Sequence, residues 1–227
     1  MTLFSPGRHR RTDDHSVVVI GLGRFGSALA LELVASGVEV LGIDGDEEIV
    51  QQLSAHLTYC VRADSTNEEA LRQLGVPEFS KAVVGIGTNI EASLLTASLL
   101  KKFGIPNLWA KAISEPHGRI LQQLEVGHVV FPEHDMGQRV AHLVMGRMLD
   151  FIQFEADYAM AKTAAPSFLL GMPLSESGVR RKHGVTVVGV KHEGSFTHAT
   201  GETVLDRGDT IIVSGRPAAV QRFGDLR

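Results

Sequence analysis

Three glycines near the start of the chain have the spacing that a nucleotide phosphate requires. Gly21, Gly23 and Gly26 form G-x-G-x-x-G directly after the β-branched run 17–20 and at the start of a helical pattern. The first glycine permits a tight turn, the second lets the backbone approach a pyrophosphate, and the third lets the helix pack on the sheet. N–H groups and the dipole at the helix start then favour a phosphate. The motif predicts a phosphate-binding turn; the alternative is a tight turn without a ligand.

Two charged residues near this turn indicate which nucleotide it binds. Asp44 stands where an acid accepts hydrogen bonds from ribose hydroxyls and repels the 2′-phosphate of NADP; alternatively, it belongs to a surface turn. Arg24 lies inside the loop, where its guanidinium can bind the free polyphosphate of ATP or ADP. Alternatively, Arg24 is a solvated residue in the first turn of the helix and binds no phosphate. Together the two residues favour an adenine nucleotide with a free phosphate tail.

Composition and charge exclude several classes of function. Of the 227 residues 44% are hydrophobic and 21% are charged, which is typical of a soluble globular protein. A net charge of −4 offers no basic surface for nucleic acid. Cys60 is the single cysteine, so no internal disulfide can form, and it is predicted to lie in a buried strand. No apolar run approaches the roughly 20 residues of a membrane span. Because the single cysteine makes a reducing compartment the default, we expect a cytoplasmic protein.

The hydrophobic pattern alternates between strand and helix up to about residue 150. Strands are predicted over 17–20, 38–43, 58–63, 81–86, 107–111 and 128–131, and helices over 24–36, 46–56, 65–74, 90–103, 115–124 and 133–149. This alternation predicts an α/β fold with a Rossmann-like, doubly wound parallel sheet.

The remaining segments predict how the chain divides into domains. Short strands predicted over 185–191, 203–205 and 210–214, with glycine-bearing turns between them, indicate a small α+β domain. We therefore predict a partly disordered lead-in over 1–16, a nucleotide-binding domain over 17–150 that includes the last long helix as a connector, and a C-terminal domain over 151–227.

No residue pattern in the sequence points to a reaction. The C-terminal histidines fit turn and helix-end positions, with His183 directly before a glycine at a predicted helix end. No metal-ligand spacing or nucleophile motif occurs. The sequence therefore predicts a nucleotide site without catalysis. An NAD(H)-dependent redox enzyme or sensor remains the alternative.

Several longer segments resemble one family. They are VVVIGLGRFGSALALEL (17–33), ADSTNEEALRQLGV (63–76), AVVGIGTNIEASLLTASLLKKFGIPNLWAKA (82–112) and FPEHDMGQRVA (131–141). In order and spacing they resemble the cytosolic regulatory subunits of Ktr/Trk potassium uptake systems, the KtrA/TrkA family, which have the RCK (KTN) fold. More loosely, VRRKHGVTVVGVKHEG and LDRGDTIIVSG resemble that family's C-terminal domain, RCK_C or TrkA_C.

The resemblance implies a regulatory protein and not an enzyme. Homodimers would assemble into an octameric gating ring on the inner face of the plasma membrane, against a membrane-embedded potassium channel subunit. ATP and ADP would compete for the N-terminal site, although relatives with the same glycine loop bind NAD(H). Some relatives bind cyclic di-AMP between C-terminal domains, but His183 stands where they commonly have an aromatic residue. Because RCK domains serve several transporters, regulation of another cation transporter is a further alternative.

The resemblance also implies a set of site residues. The nucleotide site would comprise Gly21, Gly23, Arg24, Phe25, Gly26, Asp44, Asp64, Ser65 and Lys111. Arg24 would meet the terminal phosphates, Asp44 the ribose, and Asp64 with Ser65 the adenosine. Glu133 would hold Mg²⁺, Ca²⁺ or Na⁺ near the phosphates; from the residues alone, it fits equally well an acid that favours the dipole at a helix start.

Overall fold

The structure, a computed structural model, describes residues 15–145 and 148–226. The lead-in predicted over 1–16 lies mostly outside this range, but Ser16 already belongs to the first strand. The chain divides into two compact units between Glu133 and His134. This division falls inside the helix that the sequence assigned to the end of the first domain. In the described residues, no helix is both long enough and apolar enough to cross a membrane.

A six-stranded parallel sheet forms the first unit, which confirms the Rossmann-like prediction. Its strand order is β3-β2-β1-β4-β5-β6. The strands are β1 (Ser16–Ile20), β2 (Glu39–Asp44), β3 (Tyr59–Arg62), β4 (Lys81–Val84), β5 (Asn107–Lys111) and β6 (His128–Val130). The helices are α1 (Arg24–Ala35), α2 (Glu47–Leu53), α3 (Glu68–Gln73), α4 (Ile90–Lys102), α5 (Glu115–Gln123) and α6 (Pro132–Met145), which continues into the second unit.

Apolar side chains cover both faces of this sheet, as a parallel sheet requires. Every residue of β1 is buried because helices lie on either side of this central strand. Val18 and Ile20 contribute to one hydrophobic cluster, and Val17 and Val19 contribute to the other. Cys60 is only partly buried because its strand, β3, is an edge of the sheet. Its partial burial raises the pKa of its thiol.

Side-chain caps begin α2, α3, α4 and α5, whereas α1 begins at the glycine turn without one. The carboxylate or carbonyl oxygens of Asp46, Asn67 and Asn89 and the hydroxyl of Ser114 accept N–H bonds in the first turns of α2, α3, α4 and α5. At α1 the cap is Gly23, which has no side chain to accept such a bond. The start of α1 therefore keeps free a backbone donor of the kind that a side chain satisfies in α2, α3, α4 and α5.

An antiparallel sheet of order β10-β9-β11-β8-β7 forms the second unit, which confirms the small α+β domain. Its strands are β7 (Asp150–Glu155), β8 (Tyr158–Ala164), β9 (Val185–His192), β10 (Ser195–His198) and β11 (Thr210–Gly215). The short helices are α7 (Leu174–Ser177), α8 (Val179–His183) and α9 (Pro217–Gly224). One face packs on a core that includes Phe151, Leu205 and Phe223.

One predicted strand of this unit is wrong, and one predicted helix end is confirmed. Residues 203–205 form only isolated bridges, Val204 with Pro173 and Leu205 with Leu170. The partner segment cannot extend the ladder because Pro173 has no N–H to donate. His183 ends α8 as predicted, and Gly184 after it adopts a positive φ of 71°.

Candidate nucleotide-binding site

A cleft of about 990 Å³ opens at the carboxyl ends of the parallel strands. It is centred where the strand order reverses, between β1 and β4. Ligands bind at this point in doubly wound sheets because neighbouring connections there run to opposite faces and leave a crevice. Nine of the ten predicted site residues line the cleft: Gly21, Gly23, Arg24, Phe25, Asp44, Asp64, Ser65, Lys111 and Glu133.

Gly26 is the exception, and it has a packing role beneath the glycine turn. A Cβ at Gly26 would lie 1.9 Å from the carbonyl oxygen of Gly21, so a larger residue cannot fit without moving the turn. Gly21 has a φ of 88°, and a Cβ there would lie 2.7 Å from the Ile86 nitrogen. A Cβ at Gly85, directly after β4, would lie 2.7 Å from the same Gly21 oxygen. These close approaches bring the start of α1 against the sheet.

The start of α1 presents backbone donors to the cleft. The first hydrogen bond of the helix runs from the Ser27 N–H to the Gly23 carbonyl, at 2.8 Å. The N–H groups of the three intervening residues therefore lack an acceptor within the helix. A Cβ at Gly23 would meet no atom within 4 Å, so the space above the turn is open. These features are those of a phosphate-binding helix start.

Asp44 ties the end of β2 to the glycine turn. One of its carboxylate oxygens accepts the Leu22 N–H at 2.6 Å, and the other accepts the Asp46 N–H at 2.9 Å. Each oxygen keeps a further lone pair, so these bonds leave capacity for a ribose hydroxyl. Asp44 therefore both fixes the turn and presents an acceptor to the cleft.

Asp64 and Ser65 both make side-chain hydrogen bonds within the first unit. Asp64 Oδ1 accepts both the N–H and the hydroxyl of Thr66, and these bonds lower the pKa of Asp64. The buried Ser65 hydroxyl pairs with the Thr96 hydroxyl of α4 at 2.8 Å, and Thr96 also donates to the Ser65 carbonyl. Both residues line the cleft, but the Ser65 hydroxyl is committed to a bond inside the unit.

A lysine and a glutamate form an ion pair at the end of the cleft away from Asp64 and Ser65. Lys111 Nζ lies 2.5 Å from Glu133 Oε1; the lysine side chain is 10% exposed and that of the glutamate 61%. The ammonium also lies 5.8 Å from the centre of the Phe25 ring. The hydrogen bond from Lys111 lowers the pKa of Glu133, and the charge of Arg24 acts in the same direction. Two cations therefore converge on this end of the cleft.

Sequence reasoning missed several residues that line the cleft. Gly85 and Gly87 follow β4 as Gly21 and Gly23 follow β1, so the repeated strand–glycine pattern was a usable signal. At Gly87 a Cβ would lie 3.2 Å from Lys111 Nζ, so this glycine makes room for the buried lysine. Arg62 at the end of β3 gave no signal, because only the strand order brings it to the cleft.

The cleft is lined by charged side chains of both signs. Its titratable side chains are Arg24, Asp44, Asp46, Arg62, Asp64, Lys111 and Glu133. In the part of the chain that the structure describes, no histidine, cysteine or tyrosine lines the cleft. Across the same residues, no three His, Cys, Asp or Glu side chains come together as a metal site. A cation on Glu133 would therefore need further oxygen ligands from outside this set, which phosphates can supply.

Two family models cover most of the chain. The TrkA-N domain matches residues 17–132, and the TrkA-C domain matches residues 160–226. Ktr system potassium uptake protein C of Bacillus subtilis is 34% identical over 207 residues, which cover 90% of this chain and 94% of that protein. Ktr system potassium uptake protein A of Vibrio alginolyticus has the same identity and coverage.

Solved structures support the same fold. The RCK domain of GsuK covers 99% of this chain with a TM-score of 0.66 and 18% identity. The GsuK channel bound to NAD covers all of it with a TM-score of 0.65 and 17% identity. This chain spans less than half the length of either GsuK chain, 49% and 41%. The family models and the 34% identical relatives show that the chain belongs to the family of Ktr/Trk potassium uptake proteins, which combine a TrkA-N with a TrkA-C domain.

Proposed function

We propose that this chain is a nucleotide-sensing regulatory subunit of a potassium uptake system. It binds ATP and ADP in the cleft, transforms neither, and acts at the cytoplasmic face through a membrane-embedded potassium-translocating subunit. The observation that carries the proposal is the convergence of unpaired helix-start N–H groups with Arg24 and Lys111 at one end of the cleft. The relationship to Ktr proteins over about 90% of the chain supports the transport role.

The charges of the cleft favour a nucleotide with free terminal phosphates. The N–H groups at the start of α1 suit the inner phosphates, and the Arg24 guanidinium suits the outer ones. Asp44 suits a ribose that carries free hydroxyls, and its charge opposes a 2′-phosphate. These preferences agree with ATP and ADP and disagree with NADP.

The Lys111–Glu133 pair offers a way to distinguish ATP from ADP. A phosphate that reaches Lys111 competes with Glu133 for the ammonium, because both are anions. Once released, Glu133 could share Mg²⁺, Ca²⁺ or Na⁺ with phosphate oxygens. Glu133 also lies in the first turn of α6, the helix that continues into the second unit. A nucleotide phosphate bound at this end of the cleft would thus alter the contacts at the start of α6.

Calorimetric titration tests which nucleotide is bound. We expect the wild-type chain to bind ATP and ADP, and Arg24→Ala to lose more affinity for ATP than for ADP. One charge-assisted hydrogen bond contributes about 1.5–3 kcal/mol, which corresponds to roughly a ten- to hundredfold loss. Arg119→Ala is a matched control because this exposed arginine of α5 lies outside the cleft. Equal losses for both nucleotides would argue against a terminal-phosphate role.

NAD⁺ and NADH belong in the same titration, since one of the GsuK structures is bound to NAD. Preference for NAD(H), or turnover of a nicotinamide substrate, would favour the redox alternative. Cyclic di-AMP should be included as a candidate ligand of the second unit. If the chain regulates a different cation transporter, the membrane protein that co-purifies with it would identify that transporter.

The proposal includes assembly of homodimers into an octameric ring. Apolar side chains that are more than a third exposed, such as Leu95 of α4 and Ile120 of α5, are available for contacts between chains. Light scattering on the purified chain gives the mass of the assembly directly. A mass of eight chains supports the ring, and a monomer at micromolar concentration contradicts it.

A further inference from the structure

We infer that Arg62 determines the affinity of the cleft for the nucleotide base, with its guanidinium plane stacked on the adenine. The inference rests on the proposed function, because it assumes that an adenine nucleotide is the ligand. It assigns a role to Arg62, which, unlike Arg24, lies away from the phosphate end of the cleft.

The position of Arg62 in the sheet places it beyond the ribose. It is the last residue of β3 and pairs in register with Asp44, the last residue of β2. Since an acid at the end of β2 accepts the ribose hydroxyls in this fold, the base extends towards the neighbouring strand. Lys111 lies on β5, four strand spacings from β3, or roughly 19 Å. One nucleotide can therefore place its phosphates near Lys111 and its base near Arg62.

Two hydrogen bonds fix the guanidinium by its edge. Arg62 Nε donates to the Gly45 carbonyl at 3.1 Å, and Nη1 donates to Glu47 Oε2 at 3.0 Å. Both bonds lie in the guanidinium plane, so they leave its faces uncovered. The side chain is 62% exposed and lines the cleft, so a face is accessible to a ligand. Arginine held in this way is suited to stacking on an aromatic ring.

Two other roles for Arg62 make different predictions. If Arg62 only forms an ion pair with Glu47, its loss changes stability slightly, as for other exposed pairs, and leaves binding unchanged. If it binds a 2′-phosphate, its loss weakens NADP⁺ binding alone. Asp44, the neighbour of Arg62 in the sheet, opposes the second role because its charge repels such a phosphate.

The experiment compares Arg62→Ala and Arg62→Lys with the wild-type chain in calorimetric titrations with AMP, ADP, ATP and NADP⁺. Base stacking is common to AMP, ADP and ATP, so Arg62→Ala should weaken each of these affinities by the same factor, roughly 5- to 30-fold. Lysine keeps the charge but lacks the plane, so Arg62→Lys should lose nearly as much. Unchanged thermal unfolding of both variants would show that the fold is intact.

Each other outcome overturns the inference in a recognisable way. Wild-type affinity in Arg62→Ala would mean that the arginine is only a partner of Glu47. Full recovery in Arg62→Lys would mean that charge, not stacking, acts on the ligand. A larger loss for ATP than for AMP would place Arg62 at the phosphates, and a loss confined to NADP⁺ would assign it to a 2′-phosphate. If the wild-type chain binds no adenine nucleotide, the proposed function fails together with this inference.

Discussion

Replacing Gly23 with alanine should weaken nucleotide binding without disturbing the fold. Gly23 has a φ of −61° in the extended region, which alanine adopts without strain, and its added Cβ would meet no protein atom within 4 Å. That open space is where the phosphates must approach the start of α1. Loss of a single hydrogen bond to a charged phosphate costs about 1.5–3 kcal/mol, so affinity should fall roughly ten- to hundredfold.

Gly26→Ala is the matched variant with the opposite expectation. Its Cβ would lie 1.9 Å from the Gly21 oxygen, while real Cβ contacts essentially never fall below 3.0 Å. The turn would have to move by about 1 Å, at a cost of about 3 kcal/mol, near the top of the usual range for overpacking. For a protein of this size, such a loss lowers the melting temperature by roughly 6–12 °C.

Thermal unfolding and calorimetric titration together separate these two effects. Gly23→Ala should melt like the wild-type chain and bind ATP and ADP weakly, whereas Gly26→Ala should melt earlier. If Gly23→Ala binds both nucleotides with wild-type affinity, the phosphates do not lie at the start of α1. If Gly26→Ala melts like the wild-type chain, the packing argument for the third glycine is wrong.

Three further predictions concern side-chain pairs. Glu133→Gln should bind ADP several-fold more tightly in buffer without divalent cations, because Lys111 loses a charged competitor; calorimetry showing unchanged or weaker binding would contradict this. Thr96→Val should destabilise the first unit by about 1–3 kcal/mol, because it leaves the buried Ser65 hydroxyl unpaired, and wild-type thermal unfolding would refute it. The hydrogen bond from His192 to Asp209 raises the pKa of His192, so its stabilisation is complete below the ordinary histidine value of about 6.5 and is lost as pH rises through the higher folded value. Melting curves across this range should show a step that His192→Gln removes, and a step that persists in the variant would assign it elsewhere.

The sequence predicted the glycine turn and most elements of the sheet because their signals are local. A β-branched run, three glycines and a helical pattern follow one another within about 20 residues, and the strand–turn–helix geometry follows from that order. The cap of α3 is equally local, because the Asn67 side chain accepts the N–H of Ala70, three residues further on. The change after about residue 150 to short strands and glycine-bearing turns is a local signal too, and it predicted the small α+β fold of the C-terminal part.

The parts that the sequence did not predict depend on contacts between distant segments. The Ser65 hydroxyl pairs with Thr96, 31 residues further on, and no local pattern shows that direction. Arg62 reaches the cleft only because β3 lies beside β2 in the sheet. Cys60 is less buried than predicted for the same reason, since edge position depends on strand order. The predicted strand over 203–205 fails because of a proline in its partner segment.

Potassium flux into vesicles tests most directly whether the cleft regulates transport. Vesicles would contain the membrane subunit that co-purifies with the chain, and the chain would be added with ATP or ADP at a concentration that just saturates the wild-type site. We predict that the wild-type chain supports clearly different fluxes with the two nucleotides and that Gly23→Ala greatly reduces the difference at the same concentration. Equal fluxes with ATP and ADP in the wild-type protein would contradict the proposal that the nucleotide in this cleft is a signal.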